Sequence, residues 1–203
     1  YIVLSIGGKI SGAKDAYHYL AFSARNFYTQ DAINAARKLL GKRLVRKTEA
    51  GQIQVKIIET EAYMGAEDKA SHAYNHKKTE RTKVMFQQGG LTYIYLIYGM
   101  YYCFNIVTGA SEIPQAVLIR SAAPVSGLNL IRENRKINPE KKEDLTNGPG
   151  KLCQALQIDK SLNEVDLVQS NKLYVKDDPD LKHTPIAKAK RINIDYAEEY
   201  KDK

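Results

Sequence analysis

Ile53-Gln54-Val55-Lys56-Ile57-Ile58-Glu59-Thr60-Glu61-Ala62-Tyr63 is the stretch on which the reading of this chain turns. Ile53, Val55 and Ile57 alternate with Gln54 and Lys56, the period of a strand with one apolar face. If the alternation continues, Glu59 and Glu61 lie on that apolar face, and Tyr63 follows on the same side. A carboxylate on a core face is costly unless it is hydrogen-bonded, ion-paired or partly wet. Two of them at a strand end, beside an aromatic ring, describe the floor of a pocket. The competing reading is a twist or bulge after Ile58 that leaves both glutamates as solvated loop charges. The stretch alone supports the two readings equally.

Upstream, Glu49-Ala50-Gly51-Gln52 reads as a turn and Leu44-Val45 as the hairpin partner strand. Ala32, Ile33, Ala36, Leu39 and Leu40 form a helical stripe opened at Thr29 or Gln30, with Gly41 where a C-terminal cap belongs. Residues 1–28 give only loop glycines and a possible short helix over 16–24. Downstream, residues 64–88 are polar, with His72, His76, Lys77, Lys78, Arg81 and Lys83, and long loops in compact domains tend to be functional or disordered. Residues 91–97 and 101–108 read as a hairpin whose tip, Tyr98-Gly99-Met100, carries large apolar side chains where polar ones are usual. That tip is either exposed for a purpose or tucked under a neighbouring loop.

Residues 115–122 form a further strand, and Arg120 near its end needs an acceptor, for which Glu59 and Glu61 are the candidates. Pro124 and Ser126 introduce a helix to about Arg135. Pro149 opens another helix beside Lys151, a possible anion site without the glycine spacing of a P-loop. Residues 173–175 and 188–194 are expected strands. No repeat or linker appears, so the simplest partition is one domain.

The chain has 203 residues, enough for one sizeable core, and a formal charge of +8 that favours polyanionic partners. No apolar run approaches a membrane-spanning length. Cys103 and Cys153, the only cysteines, each lie in apolar segments and read as buried thiols of a reducing compartment. No convincing metal motif, nucleophile elbow or activated cysteine is present, which leaves carboxylate chemistry: Glu59 or Glu61 as general base, Arg120 as orienting cation. A basic loop, crowded tyrosines and an apolar hairpin tip add the parts of an enzyme that extrudes a base from duplex DNA.

At this point a resemblance enters. Glu59-Thr60-Glu61-Ala62-Tyr63-Met64-Gly65, Glu67-Asp68, His72, the run from Tyr93 to Tyr101, Phe104-Asn105, Pro114 to Arg120 and Gly148-Pro149-Gly150-Lys151-Leu152 together resemble the signature of the alkyladenine (3-methyladenine) DNA glycosylases. The resemblance runs from about Leu20 onward. It implies an α+β fold: one compact domain over residues 20–203, a curved, mainly antiparallel sheet surrounded by helices, with a DNA-inserting hairpin and an unassigned extension over 1–19. It implies a monofunctional glycosylase of base-excision repair that hydrolyses the N-glycosidic bond of alkylated or deaminated purines, without a cofactor or metal and without a lyase step.

Carried over by position, the resemblance implies that Glu61 activates the attacking water and that Arg120 helps to hold it. Tyr63, His72 and Tyr95 would sandwich the flipped base, and Asn105 would crowd the exocyclic amine of guanine. Tyr98 would intercalate, with Met100, Tyr101, Lys77, Thr79 and Arg81 near the DNA. The implied partner is double-stranded DNA containing damaged purines, bound by a monomer with no membrane association, in the nucleus or a bacterial cytoplasm. Two departures stand out. The segment Ala73-Tyr74-Asn75-His76-Lys77-Lys78 stands where many relatives carry a glycine pair, and the chain ends at Lys203 where relatives continue into a closing aromatic strand. Two other readings remain. One is a basic binding module akin to the RNA-binding domain of methionyl-tRNA formyltransferases; the other is a metal-dependent nuclease using Glu59, Glu61 and His72.

Overall fold

The computed structural model describes the backbone of residues 3–6, together with residues 24–179 and 185–191. The possible helix over 16–24 and the strand end at 192–194 lie outside these residues, apart from Ala24. Within them, β1 (Val3–Ile6) precedes α1 (Arg25–Tyr28) and α2 (Ala32–Leu39). A hairpin follows, of β2 (Arg43–Thr48) and β3 (Gly51–Tyr63). Then come β4 (Thr92–Ile97), β5 (Tyr101–Thr108), β6 (Gln115–Ser126), α3 (Leu128–Arg135), α4 (Pro149–Ala155), β7 (Leu173–Lys176) and β8 (Ile186–Ala189). The eight strands form one curled antiparallel sheet of order β4-β5-β6-β3-β1-β8, with β2 and β7 added beside the first half of β3. Val3–Ser5 pair with Glu59–Glu61, so a strand from the unassigned extension lies against the decisive stretch.

Helix α2 is capped at its N-terminus by Asp31, whose side chain accepts the Asn34 amide hydrogen, and it buries Ala32, Ala35, Ala36 and Leu39. Its start at Ala32 is slightly later than the stripe suggests. These residues meet Ile53, Val55, Ile57, Ala62, Val117 and Ile119 in the main core. Strand β6 extends further than expected. It runs through Pro124, opposite Val55, before Gly127 turns the chain into α3. The proline sits beside a register shift, where a missing ladder donor is tolerated. Gly127 has a φ of +78°, and a Cβ there would approach the Gln52 carbonyl to 2.6 Å.

The long polar segment after β3 is ordered by short 3-10 turns at Gly65–Glu67, Tyr74–His76 and Lys83–Phe86. Val84, Met85 and Phe86 form a second, smaller core with Ala73, Tyr93, Val107 and Ala116. The loop is therefore clamped over the sheet face opposite α2. Within the segment 73–78, Asn75 and His76 adopt left-handed φ values of +56° and +55°. The backbone conformation that glycine would favour is kept by an asparagine, which tolerates it, and by a histidine, which strains to adopt it. That strain is about 1–2 kcal/mol for a non-glycine residue, and glycine's extra unfolded freedom returns about 0.5–1. The exposed His76→Gly substitution should thus raise stability by a net of about 0.5–1 kcal/mol, read as a higher denaturant midpoint at unchanged slope.

Candidate active site

The phase of β3 changes along its length. In the β3–β6 register, Ile57 faces Ala122, Glu59 faces Ser121 and Thr60 faces Ile119, so Ile58 and Arg120 have no partner across the ladder. This double irregularity moves the side chains by one position. Ile57, Thr60 and Ala62 all point to the α2 side; the Thr60 hydroxyl donates to the Ala36 carbonyl at 3.1 Å. Glu61 pairs with Leu118 on the opposite face, and Leu118 with Asn105 beyond it. The expectation that the glutamates share the face of Ile53–Ile57 is therefore corrected. A bulge does occur at Ile58, yet Glu61 is fully buried and not a solvated loop charge.

Its burial is compensated by arginines. Arg120 Nη1 donates to Glu61 Oε2 at 2.7 Å, and Arg120 Nε lies 3.4 Å from Glu59 Oε1. Burial alone would lower the Arg120 pKa, but the two carboxylates outweigh it and push it up. Among the described residues Glu61 Oε1 accepts no hydrogen bond; Arg191 Nε stands 3.8 Å away. Arg191, just beyond β8, is buried. It forks onto Asp68, Nη1 to Oδ1 at 2.9 Å and Nη2 to Oδ2 at 2.7 Å, and Nη2 also donates to the Ala62 carbonyl.

A cavity of about 470 Å³ lies over this pair. Tyr63, His72, Tyr95, Tyr98, Tyr101, Asn105 and Arg120 all line it. Glu61 does not line it, but its ladder partner Leu118 and its ion-pair partner Arg120 do. The loop supplies one wall and the β4–β5 hairpin with the start of α4 supplies another. His72 Nδ1 lies 2.9 Å from the Tyr93 hydroxyl and its ring meets Tyr95 edge-on, with centroids 4.7 Å apart. Arg81 Nη2 approaches His72 Nε2 at 3.3 Å, and its guanidinium sits 4.8 Å from the Tyr95 ring centre. Because an arginine can only donate, Nε2 is the acceptor and Nδ1 carries the hydrogen given to Tyr93. Burial, aided by the Arg81 charge, lowers the His72 pKa to about 4, so the ring is neutral at pH 7. Burial and the Glu61 charge push the Tyr63 phenol well up, and burial raises Tyr95 as well. The Asn105 amide is held by the Tyr93 carbonyl at 3.0 Å.

The hairpin tip is exposed, not tucked away: Tyr98 is 71% and Met100 65% accessible. Lys77 is exposed on the loop, whereas the Thr79 hydroxyl is engaged with Thr82 Oγ1 at 3.1 Å. Met100, Lys77, Thr79 and Arg81 do not line the cavity. Sequence reasoning missed Asp68, Arg191 and Arg135 as site neighbours. Asp68 stood in a quoted motif with no role, and Arg191 fell in the expected strand over 188–194 with no role. No helix of the described residues is long and apolar enough to cross a membrane.

Comparison with known proteins identifies the family. The family model for methylpurine-DNA glycosylase (MPG) matches residues 26–202. The chain is 52% identical over 177 residues to "Putative 3-methyladenine DNA glycosylase" of Natranaerobius thermophilus, covering 87% of this chain and 89% of that protein. It is 50% identical over 184 residues to the protein of the same name from Desulfitobacterium hafniense, covering 88% and 90%. A Clostridium botulinum protein, again of that name, is 48% identical over 181 residues, covering 86% and 89%. With a family match over most of its length and relatives at such identity, the chain belongs to the methylpurine-DNA glycosylase family and is a DNA glycosylase of alkylated-base repair.

Proposed function

We propose that this enzyme removes alkylated or deaminated purines from duplex DNA by flipping the damaged nucleotide into the cavity and hydrolysing its N-glycosidic bond with a water activated by Glu61. The observation that carries this reading is the ion pair between buried Glu61 and Arg120, an arginine that itself lines an aromatic-walled cavity. A carboxylate beside the cavity can take a proton from an attacking water, and its negative charge favours positive charge developing on the sugar. Oε2 is committed to Arg120, which leaves Oε1 for the water. The water oxygen bonds to C1′, the C1′–N bond breaks, Glu61 takes the water proton, and the base departs with the bonding pair.

Tyr63, His72 and Tyr95 form the sandwich. A neutral His72 suits a cationic base such as 3-methyladenine, since an imidazolium would repel it, and the electron-rich tyrosines attract it. A cationic base leaves as a neutral molecule, whereas hypoxanthine needs a proton or hydrogen bonds from its surroundings. Asn105, fixed by its bond to Tyr93, is placed to crowd the 2-amino group of guanine. Tyr98 fills the gap in the stack. Lys77 and Arg81, with the exposed Met100 and Tyr101, face the duplex around the cavity mouth.

The test is incubation with duplexes carrying hypoxanthine or 3-methyladenine in excess chelator, scored for abasic sites. Abasic sites without strand scission are expected. Loss of activity in chelator would point to a metal-dependent nuclease, and tight binding of nucleic acid with no base release would point to a binding module.

A further inference from the structure

We propose that Arg191 is a positioning residue for Glu61, holding its carboxylate and the backbone that carries it from the side opposite Arg120. The inference rests on the glycosylase reading of Glu61 given above. Three contacts of one buried side chain converge on the stretch that carries the site. Arg191 Nη2 donates to the carbonyl of Ala62, the residue between Glu61 and Tyr63. Its guanidinium lies 4.9 Å from the Tyr63 ring centre, and Nε is 3.8 Å from Glu61 Oε1. Asp68 fixes the guanidinium by a two-point fork, the geometry that best holds an arginine in one orientation. Asp68 is itself pinned by the amides of Met64 and Ala70, each at 3.0 Å.

Glu61 is thus bracketed, with Arg120 from β6 on Oε2 and Arg191 beside Oε1. Among the described residues, the other charged or titratable groups around it are Glu59 and Tyr63 from β3, Tyr95 from β4, Cys103 from β5, and Asp68. Among the described residues, the three carboxylates of Glu59, Glu61 and Asp68 meet the two guanidiniums of Arg120 and Arg191. Removing Arg191 strips a cation from beside the base, so protonation of Glu61 becomes easier and the site loses activity at a higher pH. A tether that merely docks the C-terminal segment would change rate or stability without moving that pH.

Single-turnover base release from a hypoxanthine duplex, measured across pH, separates the two. Relative to wild type on the same substrate, Arg191→Met should move the acidic limb up by about one pH unit or more, the scale set by an opposite charge within 4–6 Å. Arg191→Lys, which keeps the charge, should restore the limb to near its wild-type position. Asp68→Asn should move it the other way, to lower pH, because the guanidinium is then left more fully to Glu61. If Arg191→Met does not fold, Asp68→Asn and Arg191→Lys decide. A limb that stays at the wild-type pH in Arg191→Met, or in Asp68→Asn where Met is unfolded, overturns the role of Arg191 alone. Absence of base release from the wild-type protein overturns the glycosylase reading of Glu61 and this inference with it.

Discussion

Glu61→Gln should bind a lesion-containing duplex about as tightly as wild type and release base about 10²–10⁴-fold more slowly, the range typical of a lost general base. The amide keeps the volume and an acceptor oxygen for Arg120 Nη1, now 2.7 Å from the carboxylate. The substitution also keeps a carboxylate beside each arginine: among the described residues Arg120 retains Glu59 and Arg191 retains Asp68. That is why this variant should fold, whereas Arg120→Ala would remove the donor to Oε2 of a fully buried carboxylate. Single-turnover base release and a binding titration on one duplex provide the check. Release at the wild-type rate would remove Glu61 from the mechanism, and lost binding at intact fold would give it a role in recognition.

Much of the architecture follows from local pattern. The alternation from Ile53 to Ile57, the stripe on α2, the hairpin around Tyr98-Gly99 and the opening of α4 at Pro149 each carry their period or turn chemistry in a few residues. The pairing of Arg120 with the glutamates is legible too, because an inward arginine must find an acceptor. The phase change at Ile58 is not. No glycine or proline marks it, and it is produced by register against β6, where Arg120 is the matching unpaired residue. Since a one-residue slip exchanges the faces of a strand, the alternation pointed the carboxylates toward α2, and long-range pairing turned them to the other side. The end of β6 was also hidden, because Pro124 normally signals a break and here stands within the strand at a register shift. Arg191 was hidden for a different reason. Between Lys190 and Ile192 it looks like any basic surface residue, and only β8 pairing with β1 beside β3 brings the segment back to the site.

Tyr98→Asn should weaken binding to lesion duplex about 10- to 100-fold, on the scale of about 1–3 kcal/mol for stacking a base on an aromatic ring, while leaving the protein as stable or more so. Tyr98 and Gly99 both adopt left-handed φ, +52° and +68°, and the Met100 amide donates to the Ile97 carbonyl at 3.2 Å. A turn with two such residues favours Asn-Gly, because asparagine and glycine tolerate that region and a bulky aromatic does not. Tyrosine there costs about 1–2 kcal/mol, and the fold gains little in return, since the side chain is 71% exposed. Asparagine should recover about 1 kcal/mol of this, a rise in melting temperature of roughly 2–4 °C for a chain of this size. A residue that strains its own turn and displays its apolar ring to water is doing something other than stabilising the hairpin. Binding titrations and thermal melts on the same preparation separate the two effects. Raised stability with weakened lesion binding is the signature of an intercalating ring, and unchanged affinity would remove Tyr98 from DNA recognition.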